Sequence, residues 1–280
     1  MAMVSIQSVS EMQAWALSQR AQGVRIALVP TMGYLHAGHL SLIETAKKSA
    51  DAVVVSIFVN PSQFGPHEDF ATYPRAEERD LALCRTAGVS AVFLPENVAM
   101  YASDASVFVV EDALSNGLCG ALRPGHFRGV CTVVAKLFNI ILPHTAVFGQ
   151  KDYQQAMVIQ RMVRDLNFPV KIVVAPTLRE ADGLAMSSRN VYLKGDERKR
   201  ALGLSRALAL AAERVARGAC ESAELQRSML EVLTQHGLKI DYVAIVDPQT
   251  LEPTITARSG HVVLIAAYCG STRLIDNRIL

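Results

Sequence analysis

The run Ala52-Val-Val-Val-Ser-Ile-Phe-Val59 is apolar along almost its whole length. A strand with one solvated face alternates polar and apolar residues, so an unbroken apolar run fits a parallel strand covered on both faces. Other segments keep the same rhythm. Residues 25–29 read as a buried strand stopping at Pro30, and 39–48 carry helical spacing at Leu40, Ile43 and Ala46 or Lys47. A leading helix is expected over 10–22. After a long polar loop at 60–75 come a helix at 76–87, a strand at 90–94, a buried helix at 129–142 closed by Pro143, a strand at 146–148, a helix at 152–166 and a strand at 170–175. Strands alternating with helices predict a mostly parallel sheet with helices on both faces, and such α/β sheets bind ligands beyond the carboxyl ends of their strands.

Past Arg189 the texture changes to two Ala/Leu/Arg-rich helices at 196–217 and 221–235, then strands at 241–246 and 262–267. A unit boundary is expected within 176–190, giving a first unit over 1–177 and a smaller one over 178–280. Half of the 280 residues are apolar and 19% are charged, which excludes a disordered chain. Lys plus Arg at 28 against Asp plus Glu at 26 leaves a charge of +2. Nothing in that balance favours a nucleic-acid or membrane partner, so any phosphate binding must be local. The five cysteines (Cys84, Cys119, Cys131, Cys220 and Cys269) are widely spaced with no C-x-x-C pair, the pattern of buried thiols in a reduced, cytoplasmic protein. Neither a secretion signal nor a membrane span is expected.

The first strand leads into Pro30-Thr31-Met32-Gly33-Tyr-Leu-His36-Ala-Gly38-His39. Gly33 and Gly38 have the spacing of a P-loop, but His39 and Leu40 stand where that loop needs Lys and Ser or Thr. The general logic survives without the lysine. Glycines let the backbone approach a nucleotide, and a helix starting near His39 aims free N–H groups and partial positive charge at phosphate. His36 and His39, three apart, can face one ligand. A metal pair or two packing histidines are the alternatives, and no H-E-x-x-H or nearby Cys pair supports the metal.

This H-x-G-H signature is similar to that of the nucleotidyltransferase superfamily, which includes class I aminoacyl-tRNA synthetases. Met186-Ser187-Ser188-Arg189, within 182–190, is similar to their Lys-Met-Ser-Lys-Ser loop. Four further segments are Asn60-Pro-Ser-Gln63-Phe64, Arg123-Pro-Gly-His126-Phe-Arg128, Gly149-Gln150-Lys151-Asp152-Tyr-Gln154-Gln155 and Arg273-Leu-Ile-Asp276-Asn277. With them, the chain resembles the pantoate–β-alanine ligases from end to end.

That resemblance implies joining of (R)-pantoate to β-alanine with ATP, releasing AMP and pyrophosphate through a pantoyl-adenylate. A carboxylate is a poor acyl donor, and attachment to AMP supplies the leaving group. It also implies a Rossmann-like nucleotide domain with a smaller α/β lid, commonly as a homodimer. Pro30, Thr31, Met32, Gly33, Gly38 and the two histidines would line the ATP site, with His36 and His39 near the phosphates. Gly149 would admit the ribose, Asp152 would accept from its hydroxyls, and Lys151 would supply the cation that a P-loop provides. The backbone of Leu178 would meet adenine. The loop of Met186, Ser187, Ser188 and Arg189 would close over the triphosphate. His36, His39, Lys151, Ser187, Ser188 and Arg189 are therefore the expected catalytic set.

Gln63 and Gln155, with Met32 beside them, would hold pantoate, whose hydroxyls suit neutral amides. Phe64 and Val134 are candidates for an apolar wall against its methyl groups. Mg²⁺ is expected with ATP, with Asp80 as a contact, and Arg123 and His126 would reach the phosphate or pantoate region. Gln150 stands where many members have Glu, removing a charge. Three other classes are weighed against the ligase. Another nucleotidyltransferase would keep H-x-G-H without needing Gln63 or Gln154-Gln155. A silent nucleotide-binding protein would be expected to lose His39, Lys151 or Arg189, and all three are present. A hydrolase using His36 and His39 as metal ligands lacks a third ligand in the neighbouring sequence.

Overall fold

The structure is a computed structural model and describes residues 2–66 and 68–280. Its first unit is built on β1 (Val4–Ile6), α1 (Val9–Ala21), β2 (Ile26–Thr31), α2 (Ala37–Lys47), β3 (Ala52–Ile57), α3 (Glu77–Thr86) and β4 (Ala91–Phe93). Two short turns of helix, α4 (Asn97–Met100) and α5 (Cys119–Leu122), lead to α6 (His126–Ile141), β5 (Thr145–Gly149), α7 (Tyr153–Asp165) and β6 (Lys171–Ala175). The six strands form one parallel sheet in the order β1-β4-β3-β2-β5-β6. As expected of a doubly covered sheet, β3 is buried along nearly its whole length. One face packs on Met12 and Ala16 of α1 and on α6, which is buried almost all round; the other packs on Leu42, Ile43 and Ala46 of α2 and Cys84 of α3.

The chain order reverses at β2: β3 and β4 lie to one side of it, β5 and β6 to the other. A crevice forms at such a switch point. Here it is widened, because the ladder between β2 and β5 stops at Leu28 and Ala146. That gap also explains why β2 does not stop at Pro30 but runs through it to Thr31. The Thr31 carbonyl accepts from Phe58 N on the β3 side, so the neighbouring Pro30 turns its missing N–H toward β5, where pairing has already ended.

The second unit contains α8 (Glu197–Ala201), α9 (Gly203–Ala216), β7 (Cys220–Glu221), α10 (Ser222–Gln235), β8 (Lys239–Val246), β9 (Thr256–Ala257), β10 (Val262–Cys269) and β11 (Thr272–Ile279). β8, β10 and β11 make an antiparallel sheet, and α9 and α10 close a separate core over it. The single helix expected over 196–217 is divided by a turn at Leu202, which lets both pieces reach β10. β1 and β11 were not expected from the sequence. Val246, Leu251, Val262 and Leu264 of the second unit join the core of the first, so the two units share apolar contact. No helix among the described residues is long and apolar enough to cross a membrane. All five cysteines are free; four are buried and Cys220 is half-buried.

Candidate active site

Four strand ends deliver the motif residues. β2 runs into 32–39, β3 into 60–63, β5 into 149–152 and β6 into 176–178. A cavity of about 210 Å³ at these ends is lined by Pro30, Thr31, Met32, His36, Gly38, His39, Gln63, Gly149, Lys151, Asp152, Gln155, Leu178, Met186, Ser187, Ser188 and Arg189. Gly33 is the one expected ATP-site residue outside this lining. A second cavity, about 1560 Å³, opens between the two units and shares Lys151, Asp152, Gln155, Ser187 and Arg189 with the first. The two histidines and Gln63 line only the smaller space, while Glu68, Asp69, Arg123 and His126 line only the larger.

The two histidines fix each other at the start of α2. His36 caps the helix, its Nδ1 accepting from Gly38 N at 3.1 Å, while His36 N donates to His39 Nδ1 at 3.2 Å. A side chain at Gly38 would place a Cβ 2.9 Å from the His36 ring, so this cap needs glycine. A backbone N–H can only donate, so both Nδ1 atoms are acceptors and both rings carry their hydrogen on Nε2. The rings lie 4.0 Å apart. Burial, with Lys151 adding to it, lowers the His36 pKa to about 4, and burial followed by the charge of His36 lowers that of His39 to about 3. Two neutral Nε2–H donors thus stand at the helix N-terminus, facing the same cavity as Lys151.

The loop before α2 is fastened by Asp80, whose carboxylate accepts from Tyr34 N at 2.7 Å and Leu35 N at 2.8 Å. Asp80 is buried, and burial raises its pKa against the opposing effect of these bonds. Each oxygen accepts a backbone N–H and the residue does not line the cavity, so the structure shows Asp80, expected as a magnesium contact, anchoring the loop. Thr31 completes the turn, its hydroxyl donating to Ser56 O at 2.8 Å and accepting from Gly33 N at 3.1 Å.

Asn60 orients Gln63. Its amide donates to Gln63 Oε1 at 3.2 Å and to Gly129 O at 3.1 Å, and its Oδ1 accepts from Tyr101 Oη at 2.9 Å. Gln63 Nε2 is thereby turned to Met32 Sδ, 3.0 Å away. Gly129 permits this, since a Cβ there would lie 2.3 Å from Ser62 O. The apolar wall comes from α6: Val130, Val133, Val134 and Leu137, with Phe58. Val134, a candidate for the wall against pantoate, lines the cavity. Phe64 does not, because it packs on Phe70 and Tyr73 instead.

Arg123 and His126 also lie outside the smaller cavity. Arg123 pairs with Glu68 at 2.6 Å, and His126 Nδ1 meets Gln63 O at 2.8 Å; both line the larger space. The 186–189 loop is tied down from across the crevice. Arg189 donates to both oxygens of Asp69 at 2.8 Å and lies over the Tyr73 ring, while Ser188 Oγ is 2.9 Å from Tyr73 Oη. Ser187 Oγ accepts from Arg189 N, and the Leu178 carbonyl accepts from Met186 N at 3.0 Å.

Sequence reasoning assigned no role to Asp69, Tyr73, Ser56 or Thr177. Ser56 Oγ and Thr177 Oγ1 are buried without a hydrogen-bond partner among the described residues, and both residues line the smaller cavity. A polar residue in an otherwise apolar strand was the signal for Ser56.

A family model described as pantoate-beta-alanine ligase matches residues 4–279. The chain belongs to the pantoate–β-alanine ligase family. A pantothenate synthetase of Moorella thermoacetica is 53% identical over 98% of both chains. The crystal structure of pantothenate synthetase from Thermus thermophilus superposes with a TM-score of 0.93 at 46% identity, covering 99% of each chain. A pantoate–β-alanine ligase from Francisella tularensis, in complex with beta-gamma ATP and β-alanine, gives 0.83 at 33% identity over 99% of this chain and 98% of its own. Pantoate–β-alanine ligases form a C–N bond at the expense of ATP, and an ATP-dependent ligase implies a divalent cation. Among the described residues no group of three or more His, Cys, Asp or Glu could hold one. Asp152 is the one carboxylate lining the smaller cavity. This donor set fits a cation carried mainly by phosphate oxygens and water.

Proposed function

We propose that the smaller cavity is where pantoate is activated and that the larger one admits β-alanine to the activated acid. The observation that carries this reading is the pair of neutral Nε2–H donors of His36 and His39 beside Lys151, Gln63 and Gln155. In the first step a pantoate carboxylate oxygen attacks the α-phosphorus of ATP, and the bond to the bridging oxygen breaks to release pyrophosphate. His36, His39 and Lys151 donate to the phosphate oxygens, where negative charge grows. Neutral imidazoles serve as aimed donors here, and His39 need not give up its proton. Gln63 and Gln155 orient pantoate through its hydroxyls and carboxylate, with Met32 beside Gln63 and Val134 and its α6 neighbours against the methyl groups.

ATP would lie along Pro30–Gly33, Gly38 and Gly149, its ribose on Asp152 and its base near the Leu178 backbone. Mg²⁺, held by the phosphates, would supply charge neutralisation. Met186, Ser187, Ser188 and Arg189 would then close over the triphosphate, with the chain dividing at 177 and 178 so that the second unit acts as the lid. In the second step the amine of β-alanine attacks the acyl carbon, loses a proton and displaces AMP. A water-poor site protects the mixed anhydride until then.

A homodimer belongs to the same reading: Val107, Phe108 and Val110 are exposed on a segment without regular secondary structure that a second copy would cover. Free thiols agree with a cytoplasmic setting. The test is exchange of labelled pyrophosphate into ATP with pantoate present and β-alanine absent. Pantoate-dependent exchange, followed by AMP and amide on adding β-alanine, is expected. Formation of ADP and inorganic phosphate would point to an acyl phosphate and overturn the reading.

A further inference from the structure

We infer that Asn277, on the last strand of the second unit, is a positioning residue that aims Lys151 of the first. Its side-chain amide spends both hydrogens on successive carbonyls, Gln150 O at 2.8 Å and Lys151 O at 2.8 Å. These oxygens belong to the two peptide groups that flank the Lys151 Cα. Clamping both sets the backbone torsions of Lys151 and with them the direction in which its side chain leaves the chain. The amide cannot turn over, because its Oδ1 accepts from Gln150 Nε2 at 3.3 Å.

Asn277 is itself held. It is 2% exposed, and its N–H donates to Asp276 Oδ1 at 2.8 Å. Asp276, equally buried, receives Arg179 on both oxygens at 2.7 and 3.0 Å, and Arg179 also donates to Gly183 O at 3.1 Å. Arg179 and Gly183 lie in the stretch that leads to Ser187–Arg189. One hydrogen-bonded series therefore runs from that stretch through β11 to the backbone of Lys151, joining the two units at the residue that faces the phosphates. Asn277 does not itself line the smaller cavity and reaches it through Lys151, which does.

This rests on Lys151 being a phosphate-binding cation, and the experiment separates the two claims. Pantoate-dependent pyrophosphate exchange is measured for Asn277→Ser, Asn277→Asp, Lys151→Ala and Lys151→Ala combined with Asn277→Ser, with melting curves for each. The single Asn277 substitutions should lower kcat/KM for ATP by roughly tenfold to a hundredfold, the scale of a misplaced reacting geometry. KM for pantoate and, in the full reaction, for β-alanine should stay within about twofold. In the Lys151→Ala chain the serine substitution should add less than about twofold, because its effect passes through the missing amine. If Lys151→Ala matches the parent, the reading of Lys151 fails. If Lys151→Ala is impaired while Asn277→Ser matches the parent, multiplies the loss, or weakens all three substrates alike, the positioning role is overturned. A serine chain that does not fold assigns Asn277 a structural role and overturns it too; a failure of the aspartate chain alone leaves the serine chain to decide.

Discussion

At the start of α2 the polar atoms facing the smaller cavity are fixed by their own neighbours. His36 and His39 cap one another, and Asp80 fastens the loop that leads into them. At 186–189 the arrangement is different. Arg189 is held by Asp69, 120 residues away, in an ion pair whose side chains are each about one-quarter exposed. The first region is ready before any ligand arrives, and its donors cost little to order. The second must exchange one partner for another if Arg189 is to meet a triphosphate. In the proposed mechanism this difference would give fixed donors at the phosphates and a releasable cation on the loop that closes over them.

Substituting the rigid side should hurt most. His39→Ala should slow adenylate formation by roughly 10²–10³-fold, the scale of losing one aimed donor. Single-turnover quench measurements with ATP and pantoate check this, and an unchanged rate would end the distinction between the regions. Asp80→Ala comes next. It leaves two N–H groups near the cavity without their acceptor, at about 1–3 kcal/mol each, so the melting temperature should fall by several degrees while the concentration of Mg²⁺ giving half-maximal activity stays the same. A shifted Mg²⁺ requirement would restore Asp80 as a metal contact.

On the releasable side effects should be small and of opposite sign. Asp69→Asn should lower KM for ATP by roughly two- to fivefold, as expected for a partly exposed ion pair, with little change in kcat. A raised KM would mean that Asp69 holds Arg189 in its working position.

The smallest effect is a predicted flatness. With His36 near 4 and His39 near 3, exchange should show no inflection at the ordinary histidine value of 6.5. Stability should respond instead. Both folded-state values lie below 6.5, so the unfolded chain binds the protons that the native site refuses. The histidine contribution is complete above about pH 6.5 and is lost as pH falls from there toward 4 and 3. A melting series over this range should slope downward with acid, and His39→Gln should flatten the slope.

Which parts were legible in the sequence follows from the same contrast between local and distant partners. The parallel sheet was readable because strands covered on both faces, such as Ala52–Ile57, are apolar at nearly every step. β11 was not, because Thr272–Ile279 is rich in polar residues whose partners are remote: Arg273 meets Asp241, Asp276 meets Arg179, and Asn277 meets the Gln150 and Lys151 carbonyls. The histidine pair and Gln63 stood in short motifs beside their own supports. Asp69 and Glu68 did not, since Arg189 and Arg123 lie 120 and 55 residues away in sequence. The anchoring role of Asp80 was hidden for a related reason. A helix carboxylate near a nucleotide motif resembles a metal ligand until its two N–H partners, 45 and 46 residues upstream, are seen.

The most direct measurement is a crystal structure of the chain with a non-hydrolysable ATP analogue and pantoate. Phosphate oxygens within hydrogen-bonding distance of both His36 Nε2 and His39 Nε2, with Lys151 Nζ on the same triphosphate, are the predicted result. A nucleotide bound in the larger cavity with the two imidazoles untouched would contradict it.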